Sequence, residues 1–271
     1  MADFVKYPRT PHLQGSKLQD GDHDLEQADL AGLRGGTLVW EEKVDGANCA
    51  FSFTASGEPQ LQSRGHILRG GAREGQFNLF KAWVDTQQDA FRRVLGARYI
   101  VYGEWCYAKH TVFYDRLPHY FLEFDVFDCE GSMFLSTPAR RSLLDSLPIV
   151  SVPVVHEGPL QKTGPRGAAG IKALIKPSQF KSPAWRTSLA DAARASGQDP
   201  SRVERETDGS ELAEGLYLKH EDKVQVIGRY KFVRADFLQA IAASGTHWQE
   251  RPIVANRLMP GVDLFALELP R

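Results

Sequence analysis

The sequence predicts an α+β fold, on three observations. Short apolar stretches rich in Val, Ile, Phe and Tyr recur along the chain, several alternating polar and apolar residues as half-buried strands do. Only three segments carry helical spacing. The strands and helices do not alternate regularly, as a parallel βαβ array would require, so mostly antiparallel strands with inserted helices are expected.

Residues 1–36 are polar and Gly-rich and read as loops and short turns. The strand segments TLVWEEKV (37–44), NCAFSFT (48–54) and QLQSR (60–64) follow. NLFKAWVDTQQDAFRRVLG (78–96) repeats apolar residues at spacings of three and four and reads as a helix. RYIVYGEWC (98–106) and HYFLEFDVFD (119–128) are strands again. TPARRSLLDSL (137–147) is a helix begun by Ser136 or Thr137, with Pro138 in its first turn. SVPVV (151–155) is a strand and RTSLADAARASG (186–197) a helix. SGQDPSRVERETDGSE (196–211) reads as an exposed loop, before the strands EGLYLKHE (214–221) and KVQVIGRYKFV (223–233). The tail from Trp248 onward has room for one short helix.

Lys plus Arg (33) nearly balance Asp plus Glu (34), so bulk charge selects no partner, although a locally basic groove remains open. Three cysteines without metal-ligand spacing read as free thiols of a reducing compartment. The amino terminus has no apolar signal core and no apolar run reaches bilayer length, so a cytoplasmic protein is expected. Walker, Rossmann, zinc-protease and Ser-elbow motifs are all absent.

What remains is charged residues at strand ends. In EEKVDGAN, Lys43 precedes an Asp-Gly pair; it is either a solvated turn lysine or a nucleophile whose neutral amine is favoured by desolvation or nearby cations. Gly46 lets backbone approach a ligand, and Asn48 offers a donor and an acceptor. Glu104 and Glu214 each adjoin a glycine at a strand margin. Arg229 and Lys231 are two apart and share a strand face, Arg64 ends another strand, and Phe124 could stack on a base. Singly, each also reads as an ordinary solvated strand end.

Taken in order, KVDGAN, SRG, YGEW, FLEFDVFD, EGLYLK and RYK resemble the six motifs of the covalent nucleotidyltransferases, the ATP-dependent ligases and capping enzymes. The chain is most similar to RNA ligases of the phage RNA ligase 2 type. That resemblance implies a nucleotidyltransferase fold of antiparallel sheets flanked by helices, an ATP-grasp-like ligase core. The motifs lie within 38–237 of a domain expected over 1–237, and 238–271 is expected to be a short appendage, with no OB domain.

Carried over by motif, Lys43 attacks the α-phosphorus of ATP and Asp45 shapes its turn. Asn48 contacts phosphate or the incoming end, and Arg64 holds the AMP phosphate or the 5′-phosphate. Glu104 binds ribose, Phe124 stacks on adenine, and Glu42 bonds near the adenine edge. Glu214 helps hold Mg²⁺ or Mn²⁺, and Lys231 contacts the α-phosphate. Arg229 stands where the family usually has a lysine, which keeps the charge but changes its geometry to a fork, so it is expected to serve still as a phosphate contact to the nucleotide. The implied activity joins 3′-OH and 5′-phosphate RNA ends, in nicked duplexes, by a monomer, with an end-processing kinase–phosphatase as a possible partner. DNA or mixed-strand sealing and a non-catalytic binding relic are the alternatives.

Overall fold

The computed structural model describes residues 4–18, 27–159, 167–237 and 251–267. Fifteen strands and α-helices are formed in the described chain: β1 (Thr37–Lys43), β2 (Ala47–Phe53), β3 (Pro59–Ser63), α1 (Asn78–Leu95), β4 (Tyr99–Trp105), β5 (Phe121–Asp128), β6 (Met133–Phe134), α2 (Thr137–Leu144), β7 (Val150–Ser151), β8 (Val154–Pro159), α3 (Gly167–Leu174), α4 (Trp185–Ala195), α5 (Pro200–Arg205), β9 (Gly215–Glu221) and β10 (Val226–Val233). The strands build two sheets, one ordered β10-β9-β1-β8 and the other β3-β2-β4-β5-β6 with β7 beside β5. All named pairings are antiparallel except β5 with β7. The α+β architecture of antiparallel sheets flanked by helices is therefore the one expected.

Strand periodicity explains the layers. On β2, Cys49, Phe51 and Phe53 face α1, where Phe80, Trp83, Val84 and Phe91 recur at helical spacing and are fully buried. Phe51 alone lies with its ring centroid 4.8 Å from Phe91 and 5.8 Å from Trp83. Each such ring contributes about 1.5–3 kcal/mol by leaving water. In the other sheet, Leu38 and Trp40 of β1, Leu216 and Leu218 of β9 and Phe232 of β10 cluster with Ile171 of α3. The opposite faces of the two sheets look toward each other across a cleft. The chain passes from one sheet to the other at Val44–Gly46, so KVDGAN is a crossing between sheets rather than a hairpin turn.

Helix α2 starts at Thr137 with Pro138 behind it, as its sequence predicts. Its cap is not Ser136 but the Glu221 carboxylate at the end of β9, which accepts from Thr137 N (2.8 Å) and Thr137 Oγ1 (2.7 Å). The expected exposed loop over 196–211 is corrected: it contains α5, capped by Asp199 and opened by Pro200, with Val203 buried. A six-residue helix is too short to show periodicity, but its Asp-Pro start was readable. No helix forms in the described tail, 251–267; there Asn256 is buried, accepting from Tyr114 N (2.9 Å) and donating to the Cys106 carbonyl (2.8 Å). The tail thus fastens to the same body as the motif-bearing strands.

Candidate functional site

Lys43 ends β1 where the sheets meet, opposite Gly215 of β9. Its ammonium donates to Glu214 Oε2 at 2.7 Å, and 24 % of its side chain remains exposed. The loop after it is held rigidly. Asp45 Oδ2 accepts from Thr111 N (2.7 Å) and Val112 N (2.6 Å), and Asp45 N donates to the Tyr114 hydroxyl (2.9 Å). Gly46 N donates to Glu104 Oε1 at 3.1 Å, and a Cβ at Gly46 would lie 2.8 Å from the Trp105 carbonyl oxygen. Only glycine permits that approach.

Across the cleft, Asn48 of β2 pairs in register with Glu104 of β4, which brings the second glutamate toward Lys43. Phe124 is the extra residue of a bulge in β5, between Asp125 (opposite Tyr102) and Glu123 (opposite Gly103). A bulge re-aims a side chain and frees a carbonyl; here Lys219 Nζ donates to the freed Phe124 carbonyl. The Phe124 ring faces Tyr217 of β9 across the cleft, with centroids 6.3 Å apart and planes tilted by 32°. Lys231 of β10 lies opposite Tyr217, and its charge acts on Glu214.

The electrostatics differ from the simple expectation of a neutral, desolvated lysine. Burial alone would push the Lys43 amine down, but Glu214, Glu104 and Asp45 outweigh it and hold the ammonium above its usual range. Burial pushes Glu104 up to about 8, with the charge of Lys43 pulling it down and Glu214 pushing it further up. Burial likewise takes Glu214 up to about 7 against the pull of Lys43. Both carboxyls are thus held above their usual range beside a charged amine.

One stability consequence follows from the sign of the Glu104 shift. A carboxyl raised from 4.5 to about 8 binds more protons folded than unfolded within that window. Its stabilising contribution is full below the lower value and is lost as pH rises toward the upper one. Glu104→Gln, which imitates the neutral acid, is thus expected to melt several degrees above wild type at pH 8 and by much less at pH 5. Thermal melts at the two pH values check this; a lower melting point for the variant at pH 8 would refute it.

The remaining expected residues are placed differently. Glu42 points to the opposite face of β1 from Lys43, accepts from Ser178 Oγ at 2.5 Å, and burial pushes it up to about 7. It lines a cavity of about 290 Å³ with Leu174, Pro177 and Leu216. Arg229 is engaged in an ion pair with Asp125 (3.4 Å) and lies over the Phe134 ring at 3.9 Å. Arg64 sits just beyond β3 with an exposed side chain, its backbone N–H bonded to the Asn48 carbonyl (3.1 Å). Lys43, Asn48, Glu104, Phe124, Glu214 and Lys231 thus share the cleft; Glu42 lies behind it, and Arg64 at its rim.

Sequence reasoning missed the cleft floor. Glu41, Asp125 and Lys219 are fully buried, with Lys219 Nζ 3.0 Å from Glu41 and 3.4 Å from Asp125. Glu41 is two residues before Lys43 on the same strand face, and that spacing was the available signal. Tyr7 and Tyr217 were missed as well.

Among the described residues no group of three His, Cys, Asp or Glu side chains could hold a metal. The site does not fit a resident all-protein metal centre. Glu214, the carboxylate bonded to Lys43, does fit a hard divalent cation that takes most of its ligands from water and phosphate. No helix among the described residues is long and apolar enough to cross a membrane.

Solved RNA ligases share this fold. A glutamate-to-alanine variant of an RNA ligase from Naegleria gruberi, with AMP and Mn, matches at a TM-score of 0.52 and 16% identity, over 88% of this chain and 58% of that one. An aspartate-to-alanine variant of the Naegleria gruberi ligase in apo form gives 0.51 and 15%, over 80% and 54%. An archaeal ATP-dependent RNA ligase gives 0.48 and 18%, over 86% and 49%. The chain spans about half the length of these solved relatives. No curated protein matches it. The family model for RNA ligase, however, matches residues 36–233, from the strand of Lys43 through the strand of Lys231. By that match the chain belongs to the RNA ligase family.

Proposed function

We propose that the protein is an ATP-dependent RNA ligase, similar to the phage RNA ligase 2 type, that joins 3′-OH and 5′-phosphate ends. The observation that carries the reading is the half-buried Lys43 bonded to Glu214, with Glu104 beside it and Lys231 and a Phe124–Tyr217 aromatic slot in the same cleft. In the first step Lys43 Nζ forms a bond to the α-phosphorus of ATP, the bond to the β-phosphate oxygen breaks, and pyrophosphate leaves. The proton on Nζ must depart, and Glu214, at 2.7 Å, is the acceptor in reach. Lys231 opposes the charge gathering on the phosphate oxygens. Phe124 and Tyr217 sandwich the base, and Glu104 bonds a ribose hydroxyl. When bound, a divalent cation would take Glu214 as a ligand and would supply charge neutralisation on the triphosphate.

Next, a 5′-phosphate oxygen takes AMP from Lys43, breaking the N–P bond. A 3′-hydroxyl then attacks the adenylylated phosphate, releasing AMP and forming the phosphodiester. Each transfer exchanges one phosphorus bond for another, which divides a difficult condensation into easier steps.

Incubation with α-labelled ATP and Mg²⁺ or Mn²⁺ should leave label on the denatured protein. A lysine phosphoramidate is lost in acid and kept in base. Nicked duplexes with RNA or DNA on either side of the break then assign the strand preference; sealing of DNA alone would overturn the RNA reading. Absence of any adduct, with ATP still bound, would leave only a nucleic-acid-binding relic. Suitable ends would come from an end-processing activity that installs 5′-phosphate and removes 3′-phosphate.

A further inference from the structure

The amino-terminal segment lacks strand periodicity and carries no nucleotidyltransferase motif, yet it joins both sheets at the cleft. At one end the Val5 carbonyl accepts from Gln62 Nε2 (2.8 Å) and the Tyr102 hydroxyl (2.6 Å), both on the β2–β5 sheet. At the other end the chain pairs with β10. Lys231 N donates to the Pro11 carbonyl and Leu13 N donates to the Lys231 carbonyl, each at 2.9 Å. Ser16 Oγ accepts from Val233 N (2.9 Å). Both backbone groups of Lys231 are therefore taken by this segment.

Between these anchors Tyr7, only 4% exposed, crosses the cleft beside the aromatic slot. Its ring meets Phe124 edge-on at 5.2 Å. Its hydroxyl donates to Asp125 Oδ2 at 2.5 Å and lies 2.8 Å from the Tyr217 hydroxyl. Thr10 Oγ1 lies 2.7 Å from the same Tyr217 hydroxyl. Tyr7 thus touches one wall of the slot by its ring and the other by its hydroxyl. The two ring centroids are 6.3 Å apart with planes tilted by 32°, the range of direct ring contact, so a base entering between them needs the rings held at a wider and more parallel spacing. Whatever fixes the two rings fixes the fit.

We infer that residues 5–16 form a strap that completes the nucleotide site, on the reading that Lys43 takes up AMP. Tyr7 is a positioning residue that sets the spacing of Phe124 and Tyr217, and the Pro11–Leu13 pairing sets the position of Lys231. The ligand class is an adenine nucleotide. The strap acts on its binding and not on the chemistry at Lys43.

The test compares wild type with Tyr7→Phe, which keeps the ring packing and removes the hydroxyl's bonds to Asp125 and Tyr217. Equilibrium dialysis of labelled ATP in EDTA and the ATP dependence of adduct formation are measured on the full chain. Tyr7→Phe is expected to weaken the Kd and raise the KM about tenfold, as loss of its two hydroxyl bonds loosens the aromatic walls. The rate at saturating ATP should stay within about twofold of wild type. Thr10→Val, further along the same hydroxyl chain, is expected to move Kd in the same direction by less. A purely structural strap would lower the melting temperature and the active fraction while leaving Kd and KM unchanged. That result would overturn the inference. ATP binding by wild type without any adduct would instead sink the ligase reading, while the ratio of the two dissociation constants would still decide the role of Tyr7.

Discussion

Lys43→Ala and Lys43→Arg are expected to lose transfer of label from ATP by at least ~10³-fold, as loss of a covalent nucleophile does. Arginine keeps the charge near Glu214 but has no neutral form at working pH to attack phosphorus. The variants should still bind ATP, because Phe124, Tyr217, Glu104 and Lys231 are untouched. Joining should return when the 5′-end is supplied already adenylylated, since the last step forms a bond between a 3′-oxygen and phosphorus without the lysine. An adduct persisting in Lys43→Ala would place the nucleophile elsewhere. Failure to seal a pre-adenylylated end, in a variant that melts like wild type, would mean that the missing amine serves more than the first step.

The same lysine gives the pH dependence of that first step. Three carboxylates hold its ammonium above the usual range, so the neutral fraction at neutral pH is small. Below that value the neutral amine grows tenfold per pH unit, and adduct formation should climb into the alkaline range. Removing carboxylate charge should act in the direction of a lower amine pKa. On the proposed reading, nucleotide and cation would do this transiently by engaging Glu214 and Glu104. The arrangement seen here would then be a resting state in which Lys43 is held as its ammonium.

The sheet strands and α1 were legible because their apolar positions repeat with the period of the element that buries them. The cleft was legible only through motif order: Lys43, Glu104, Phe124 and Lys231 come from four strands and Glu214 from the residue before a fifth, and no local pattern says that the two sheets bring them together. Glu42 and Lys43 are neighbours in sequence, and strand alternation sends them to opposite faces. Arg229, read as a phosphate contact, has Asp125 as its partner in this structure because the bulge at Phe124 turns that stretch of β5 toward β10. The strap was illegible because its bonds run to residues up to 220 positions away, from Pro11 to Lys231. The floor of the cleft was hidden for another reason. Glu41, Asp125 and Lys219 look like solvated charges when counted singly, and only their mutual pairing makes burial tolerable.

That pairing predicts the largest stability effect. Arg140 of α2 is fully buried, with Nη1 2.5 Å from Glu123 Oε2 and Nη2 bonded to Glu41 Oε1. Glu41 is shared with Lys219, and Glu123 also accepts from Ser151 Oγ at 2.6 Å. Burial pushes Glu41 above the usual carboxylate range even with Lys219 and Arg140 pulling against it, so its ionised form is already costly. Arg140→Met fills similar volume but leaves buried Glu123 with only the Ser151 hydroxyl and Glu41 with only Lys219, and breaking such a buried pair costs about 3–5 kcal/mol. Urea titration should show that loss in midpoint with an unchanged slope. Adding Glu41→Gln and Glu123→Gln to Arg140→Met should recover much of it, because the cost lies in the orphaned charges and not in the missing arginine. If Arg140→Met instead unfolds at the wild-type midpoint, the cluster is not what joins α2 to both sheets. A loss that the two glutamines do not relieve would assign the effect to packing around the guanidinium stem.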